Sequence, residues 1–86
     1  MTKLEYLLVC LGEECGEVQQ MVGKSLRFGV DDRHQDEVNT NLERLEMEIT
    51  DVIAVWEMLA EELNFFSELN RDAIELKKDK IEYYRT

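Results

Sequence analysis

The chain has 86 residues and a formal net charge of −10, from 20 acidic and 10 basic residues. A chain this short buries only about 60–65% of its unfolded surface, so its core is small unless several copies pool their apolar faces. The acidic balance argues against nucleic acid and against an anionic membrane surface, because both are held by Lys and Arg. The longest apolar run, residues 7–11, is too short for a membrane span or signal peptide. We therefore expect a cytoplasmic protein of one domain, residues 1–86.

The first predicted helix runs from about Thr2 to Ser25. It opens with a capping box, in which the Thr2 hydroxyl and the Glu5 carboxylate each satisfy a free backbone donor. One apolar stripe then recurs at spacings of three and four: Leu4, Leu8, Leu11, Cys15, Val18 and Val22. On one helix Cys10 and Cys15 point about 140° apart, so we expect two free thiols.

Residues 26–39 read as a turn and loop. Gly29 is the natural position for a positive φ, and the single histidine, His34, is expected in solvent.

The second predicted helix begins after another capping box, Thr40 to Glu43, and continues to about Leu63. Its main stripe comprises Leu42, Leu45, Ile49, Val52, Trp56, Leu59 and Leu63. Three further apolar residues lie on another side: Ala54, Val55 and Met58. A small monomer rarely covers a helix on two sides, so this pattern favours self-association, although isolated exposed apolar residues are also common.

The third predicted helix has Ser67 as its N-cap and runs to about Tyr84, with Lys77, Lys78 and Lys80 near its negative end. Its apolar set is Leu69, Ile74, Leu76 and Ile81. The fold class expected is all-α: a chain of two long helices and a C-terminal helix that assembles into an oligomeric helical bundle.

Two acidic motifs stand out, one on each long helix. Glu14 and Glu17 share one side of the first helix, and Glu48 and Asp51 share one side of the second. Glu14 lies in line with Leu7, about 70° from the centre of its apolar stripe, which places it at the margin of the core. Four carboxylates at one helix seam would repel one another, and hard divalent cations such as Mg²⁺ relieve that repulsion. The alternative is a solvated acidic surface, because such spacings arise by chance in a chain this acidic.

At these residues the sequence resembles the MazG-like, all-α nucleoside triphosphate pyrophosphohydrolases, in the compact form often carried by bacteriophages. Glu14 and Glu17 match the first half of that family's motif, and Glu48 and Asp51 match the second half. The absence of histidine from both halves disfavours the di-iron sites of ferritin-like bundles. The resemblance covers about residues 4–64, and the segment after Ser67 matches only loosely.

The resemblance implies a Mg²⁺-dependent enzyme, with Mn²⁺ as a substitute, that cleaves a nucleoside triphosphate to monophosphate and pyrophosphate. The implied metal ligands are Glu14, Glu17, Glu48 and Asp51, and the implied catalytic groups are Glu48, Asp51 and Glu13. The implied phosphate-binding residues are Lys24, Arg27, Lys77 and Lys80, with Arg85 as a further candidate. Phe28 or Trp56 would contact the base, although Trp56 also suits a plain core position and Lys24 and Arg27 also suit ordinary helix-end cations.

Two alternatives stay open at this point. One is a catalytically weak helical regulator that binds nucleotides or a protein partner. The other is phosphoribosyl-ATP pyrophosphohydrolase, which shares the expected fold and chemistry.

Overall fold

The computed structural model describes residues 1–35 and 37–85, and this part of the chain is all-helical, with no strand. The three helices are α1 (Lys3–Phe28), α2 (Asn41–Leu63) and α3 (Arg71–Tyr83). The all-α prediction is therefore confirmed. Within the described ranges, no helix combines the length and apolar character needed to cross a bilayer.

The start of α1 follows the sequence prediction and its end lies three residues further on. Thr2 Oγ1 accepts a hydrogen bond from the Glu5 N–H at 3.0 Å, and Glu5 Oε1 accepts one from the Thr2 N–H at 2.8 Å. The helix continues past Ser25 because nothing before Gly29 breaks it. Gly29 ends it at φ 96°, which confirms the predicted positive φ, and its N–H donates to the Ser25 carbonyl.

Gly29→Ala and Gly23→Ala should change stability in opposite directions. Gly29 has the positive φ that a Cβ disfavours, so Gly29→Ala should cost about 1 kcal/mol. Gly23 lies inside α1, and a Cβ added there would meet no other atom within 4 Å. Gly23→Ala should therefore stabilise the protein by about 0.5–1 kcal/mol. Urea unfolding measures both; equal effects of the two substitutions would contradict the backbone argument.

The start of α2 is tied to the end of α1 through Asn41, a buried polar residue. Its Nδ2 donates to the Gly29 carbonyl at 2.9 Å, and its backbone N–H donates to the Asp32 carbonyl at 2.8 Å. The predicted capping box is present, with hydrogen bonds of 3.1 and 2.9 Å between Thr40 and Glu43. These bonds fix where the loop leaves α1 and where α2 begins.

The sequence prediction for the third helix was wrong at its start. The N-cap is Asn70, whose Oδ1 accepts from the Ala73 N–H at 3.0 Å, and the helix begins at Arg71. The predicted cap, Ser67, instead accepts a 2.9 Å hydrogen bond on its carbonyl from the Trp56 indole Nε1. The Phe65 ring also packs on Trp56, with centroids 5.2 Å apart. Trp56 therefore holds the linker against α2, and it is half-buried rather than deep in the core.

α1 and α2 form an antiparallel hairpin, since Lys3 pairs with Glu62 at one end and Asn41 bonds Gly29 at the other. The buried apolar side chains are few: Leu7, Met21, Leu59 and Ala60.

The apolar stripe predicted for α1 packs on α2 only along one edge, because Leu4, Leu11 and Val18 are half-buried. Leu8 and Val22 remain 52% and 42% exposed, and Cys15 is exposed too, whereas Leu7 and Met21 are buried. The stripe predicted for α2 packs only in part, since Leu59 is buried and Leu45, Val52 and Trp56 are half-buried, whereas Leu42, Ile49 and Leu63 are exposed. Two helices alone can bury only one narrow strip of each other, so the rest of a wide apolar stripe is left uncovered.

The exposed and half-buried remainder forms one surface on one side of the hairpin, here called the apolar face. It comprises Leu8, Leu11, Cys15 and Val22 on α1 and Ile49, Ile53 and Trp56 on α2. A groove of about 280 Å³ on this face is lined by Leu11, Val52, Ile53, Trp56 and Glu57 of the two helices and by Ser67 and Leu69 of the linker.

α3 stands apart from the hairpin. Within the described residues the only helix pair that packs together is α1 with α2, and no α3 residue is buried. The molecule is a slab of 40 × 36 × 18 Å with a radius of gyration of 15.7 Å, against about 12 Å for a compact chain of this length. Such a slab has no second layer to cover either of its faces.

Candidate metal centre

Three of the four predicted metal ligands meet at the hairpin seam. Glu14 and Glu17 approach from α1 and Glu48 approaches from α2, and one carboxylate oxygen of each lies within 4.8 Å of the other two. The spacing explains the meeting, because Glu14 lies seven residues from both Leu7 and Met21 and so occupies the strip that faces α2. Glu14 and Glu48 are thus half-buried in the helix contact, whereas Glu17 is exposed beside them.

Two of these carboxylates are partly shielded from water. Glu14 and Glu48 are each half-buried, and the Oε2 atom of each is buried without a hydrogen-bond partner in the described structure. A buried polar atom without a partner costs free energy, and a charged one costs more. A proton or a cation bound at each of these two carboxylate oxygens would reduce this cost.

The partial burial of these carboxyl groups also changes their pKa values. Burial raises the pKa of the Glu14 carboxyl, with smaller contributions from the charges of Glu17, Asp51 and Glu13. Burial also raises the pKa of Glu48, followed by the close approach and charge of Glu17 and by the charges of Asp51 and Glu14. Glu14 and Glu48 therefore keep their protons to a higher pH than an exposed glutamate does.

The cluster fits a hard divalent cation. Its ligand atoms are all oxygen, and octahedral Mg²⁺ with bonds of about 2.1 Å holds oxygens about 2.9–4.2 Å apart. The separations within 4.8 Å thus need only small side-chain rotations to close. The two unpartnered oxygens, Glu14 Oε2 and Glu48 Oε2, are the atoms that such an ion would satisfy.

Asp51 and Glu13 lie beside the cluster and not in it. Asp51 is exposed, one helical turn beyond Glu48, and its charge raises the pKa of both Glu14 and Glu48. Glu13 is also exposed, and its charge raises the pKa of Glu14. Both carboxylates act on the centre electrostatically, and their predicted roles as ligand or outer partner stay predictions.

The cations after the first motif lie near the end of α1. Lys24 is seven residues beyond Glu17, about 10 Å along the same side of the helix. It lines a groove of about 260 Å³ with Phe28 of α1 and with four residues of the following loop: Asp32, Arg33, His34 and Gln35. Arg27 stacks its guanidinium over the Phe28 ring, 5.0 Å from the centroid.

Sequence reasoning did not assign Arg33 or Gln35 to a site, and it placed His34 in solvent. His34 is exposed, as predicted, but it also lines the groove beside Lys24. No sequence signal pointed to this, because the loop is brought back by the Asn41 side chain and not by a motif of its own.

Lys77 and Lys80 are not brought to the acidic cluster within one chain. Both are on α3, which makes no helix contact with α1 or α2 in the described residues. A role for either lysine at the phosphates therefore needs α3 to move or to come from another copy.

The stability of the protein without metal should fall as pH rises from about 4 to 7. The raised pKa values of Glu14 and Glu48 mean that the folded state binds more protons than the unfolded state near pH 5. Their contribution is fully present below the unfolded pKa of about 4.3 and is lost as pH rises through the folded values. Glu5 and Glu43 oppose this below that range, because capping hydrogen bonds lower their pKa values.

The measurement is urea unfolding in EDTA between pH 4 and 7, on the wild-type chain and on Glu14→Gln. Glu14→Gln should flatten the decline, whereas Glu46→Gln, an exposed acid on α2, should leave it unchanged. A wild-type curve that rises with pH over this interval would refute the assignment.

Comparison of the chain with models of protein families, with curated proteins and with solved structures gave no match.

Proposed function

We propose that the chain is a Mg²⁺-dependent nucleoside triphosphate pyrophosphohydrolase, with Mn²⁺ able to replace Mg²⁺. The observation that carries the proposal is the meeting of Glu14, Glu17 and Glu48 across the hairpin, with two of their oxygens buried and unpartnered. An acidic surface formed by chance would keep its carboxylates apart and in water. The resemblance of the two motifs to the MazG-like family implies the same metal-dependent hydrolysis.

Glu14, Glu17 and Glu48 would hold the cation, with Asp51 as a fourth ligand or as the group that orients the attacking water. When bound, Mg²⁺ supplies charge neutralisation of the phosphates and a water of lowered pKa. A chain of net charge −10 would repel a triphosphate, and a bound cation would offset that repulsion.

The reaction is a hydrolysis at the α-phosphorus. The water oxygen forms a bond to that phosphorus, the bond from the phosphorus to the α–β bridging oxygen breaks, and pyrophosphate leaves with the electron pair. A carboxylate, either Glu48 in the cluster or Asp51 beside it, takes the proton of the water, and Glu13 supports the cluster from outside. Nucleoside monophosphate and pyrophosphate are the products.

Lys24 and Arg27 are the proposed phosphate contacts. The distance of about 10 Å along α1 from Glu17 to Lys24 is comparable to the length of a triphosphate chain, and Phe28 in the adjoining groove offers an aromatic surface for a base. Lys77 and Lys80 remain candidates only if α3 moves to the site or reaches it from another copy. We propose a homo-oligomer, a dimer or tetramer, in keeping with the large exposed apolar surface.

The test is incubation with a panel of nucleoside triphosphates, with phosphoribosyl-ATP included, in Mg²⁺ and in EDTA. The expected result is release of monophosphate and pyrophosphate that requires the metal, and loss of at least about 100-fold in Asp51→Asn. Arg44→Gln serves as a control, because Arg44 is on the same helix and outside the cluster.

Absence of turnover with every triphosphate, together with metal-dependent nucleotide binding in calorimetry, would favour a helical nucleotide-binding regulator instead. Turnover confined to phosphoribosyl-ATP would narrow the proposal to that substrate. Turnover unaffected by Asp51→Asn and by Glu48→Gln would remove this site from the reaction.

A further inference from the structure

The chain exposes more surface than one folded copy should. Its accessible area is 7304 Å², whereas a compact protein of 10.2 kDa exposes about 5,300 Å². The excess is about 2,000 Å² per chain, so a pair of copies that hid it would bury about 4,000 Å² in all. That area falls within the range of obligate homodimers, about 2,000–5,000 Å².

Two unpartnered surfaces account for much of this excess. One is the apolar face of the hairpin, where the chain's own linker covers only the Trp56 end and leaves a groove along Leu11 and Ile53. The other is α3, a helix of 13 residues that has no helix partner in the described part of the chain. A helix this short is marginal in water without tertiary packing, so α3 needs a surface to lie against.

The two surfaces match in spacing. Ile74 and Ile81 are seven residues apart on one side of α3, and Ile49 and Trp56 are seven residues apart on α2. A helix that lies in the groove of a helix pair uses this kind of register, with anchors at i, i+3, i+4 and i+7.

The two surfaces also match in charge. Residues 1–63 carry the whole net charge of −10, with 15 acids and 5 cations, whereas residues 64–86 carry five of each sign. The cations of the second segment are Arg71, Lys77, Lys78, Lys80 and Arg85. The neutral, lysine-bearing α3 is thus better suited to cover an acidic hairpin than a second hairpin is.

The linker favours a partner in another copy. Trp56 holds Ser67 through a 2.9 Å hydrogen bond and contacts Phe65, so only residues 68–70 separate the fixed point from α3. With the linker fixed there, α3 makes no helix contact with its own hairpin in the described residues.

We propose that α3 of one copy packs along the apolar face of a second copy, and that the two copies exchange these helices reciprocally. Such an exchange is a symmetric, self-complementary arrangement, in which each copy supplies the same helix and the same groove. This inference goes beyond the proposed enzymatic function and does not depend on it, because it needs neither metal nor nucleotide.

The first test is sedimentation of the full chain in EDTA without nucleotide, where a dimer is expected at micromolar concentration. Ile53→Lys on the apolar face and Ile81→Lys on α3 should each raise the dissociation constant at least about tenfold, because each buries an unpaired ammonium group. The matched control for the first is Met58→Lys, since Met58 and Ile53 are exposed to nearly the same extent, 45% and 47%, on different sides of α2. Leu76→Lys is the corresponding control on α3.

The second test distinguishes exchange between copies from folding back within one copy. Cys15 lies on the apolar face and is exposed, so it can be paired with Ile74→Cys or Ile81→Cys in a Cys10→Ser background. Mild oxidation should give a disulfide-linked species of twice the chain mass. A monomeric wild-type chain, an intrachain disulfide, or a dimer that survives Ile81→Lys and forms no disulfide would each overturn the proposal.

Discussion

Glu48→Gln should abolish triphosphate cleavage and, in the same protein, raise its stability without metal. The carboxylate of Glu48 is half-buried, has an unpartnered oxygen and lies close to the charges of Glu17 and Asp51. The amide keeps the shape of the side chain and removes the charge, so the repulsion within the cluster falls. Opposite signs for activity and stability are typical of a residue that is kept for chemistry at the expense of the fold.

The expected loss of turnover is at least about 100-fold, because both the cation site and the proton acceptor are affected. The expected gain in stability at pH 7 in EDTA is at most about 1 kcal/mol, since solvent screens a partly exposed cluster. Glu46→Gln is the matched control, an exposed acid on the same helix, and should change neither quantity. Added Mg²⁺ should raise the melting temperature of the wild-type chain more than that of Glu48→Gln.

A different combination of results would reject the site. If Glu48→Gln destabilises the protein in EDTA and leaves turnover unchanged, the carboxylate has a structural role only. If it leaves both unchanged, the cluster is a solvated acidic surface.

Leu7→Ala should cost about 2–5 kcal/mol, a large part of the stability of a small domain. Leu7 is 1% exposed and is one of only four buried apolar side chains in the described residues, so few neighbours can move to fill the space it leaves. The loss arises within one hairpin and should therefore appear at every protein concentration. Urea unfolding followed by circular dichroism measures it.

Leu8→Ala is the control, because the two leucines are adjacent on α1 and differ in the face they occupy. Leu8 is 52% exposed on the apolar face, so in an isolated chain its loss should change stability by less than about 0.5 kcal/mol. In an assembled chain the same substitution should weaken the dependence of the unfolding midpoint on protein concentration. Equal and concentration-independent effects of the two substitutions would contradict the assignment of the faces.

Local signals predicted the helix starts at Thr2 and Thr40 and the positive φ of Gly29. They succeeded because a capping box and a glycine act within a few residues of chain. The start of α3 was wrong for the complementary reason. Ser67 has the side chain of a cap, but its carbonyl is taken by Trp56, 11 residues away, and the cap moves to Asn70.

The acidic site was predictable in its residues and less so in its position. The spacing of Glu14 and Glu48 placed them beside the apolar stripes, and the structure places them in the helix contact itself. The difference follows from the choice of packing face. Periodicity shows that a helix has a broad apolar surface, but it does not show which part of that surface a neighbouring helix covers.

By itself, the sequence determined the all-helical architecture, the ends of the hairpin and the identity of the acids that can meet. These depend on side chains within one or two helical turns of each other, where spacing dictates geometry. Only the tertiary structure decided that Leu7 is buried while Leu8 is exposed, that Glu14, Glu17 and Glu48 converge, and that α3 is left without a helix partner. Those outcomes depend on how two helices rotate against each other, a choice made by the packing of the whole hairpin and not by any short stretch of it.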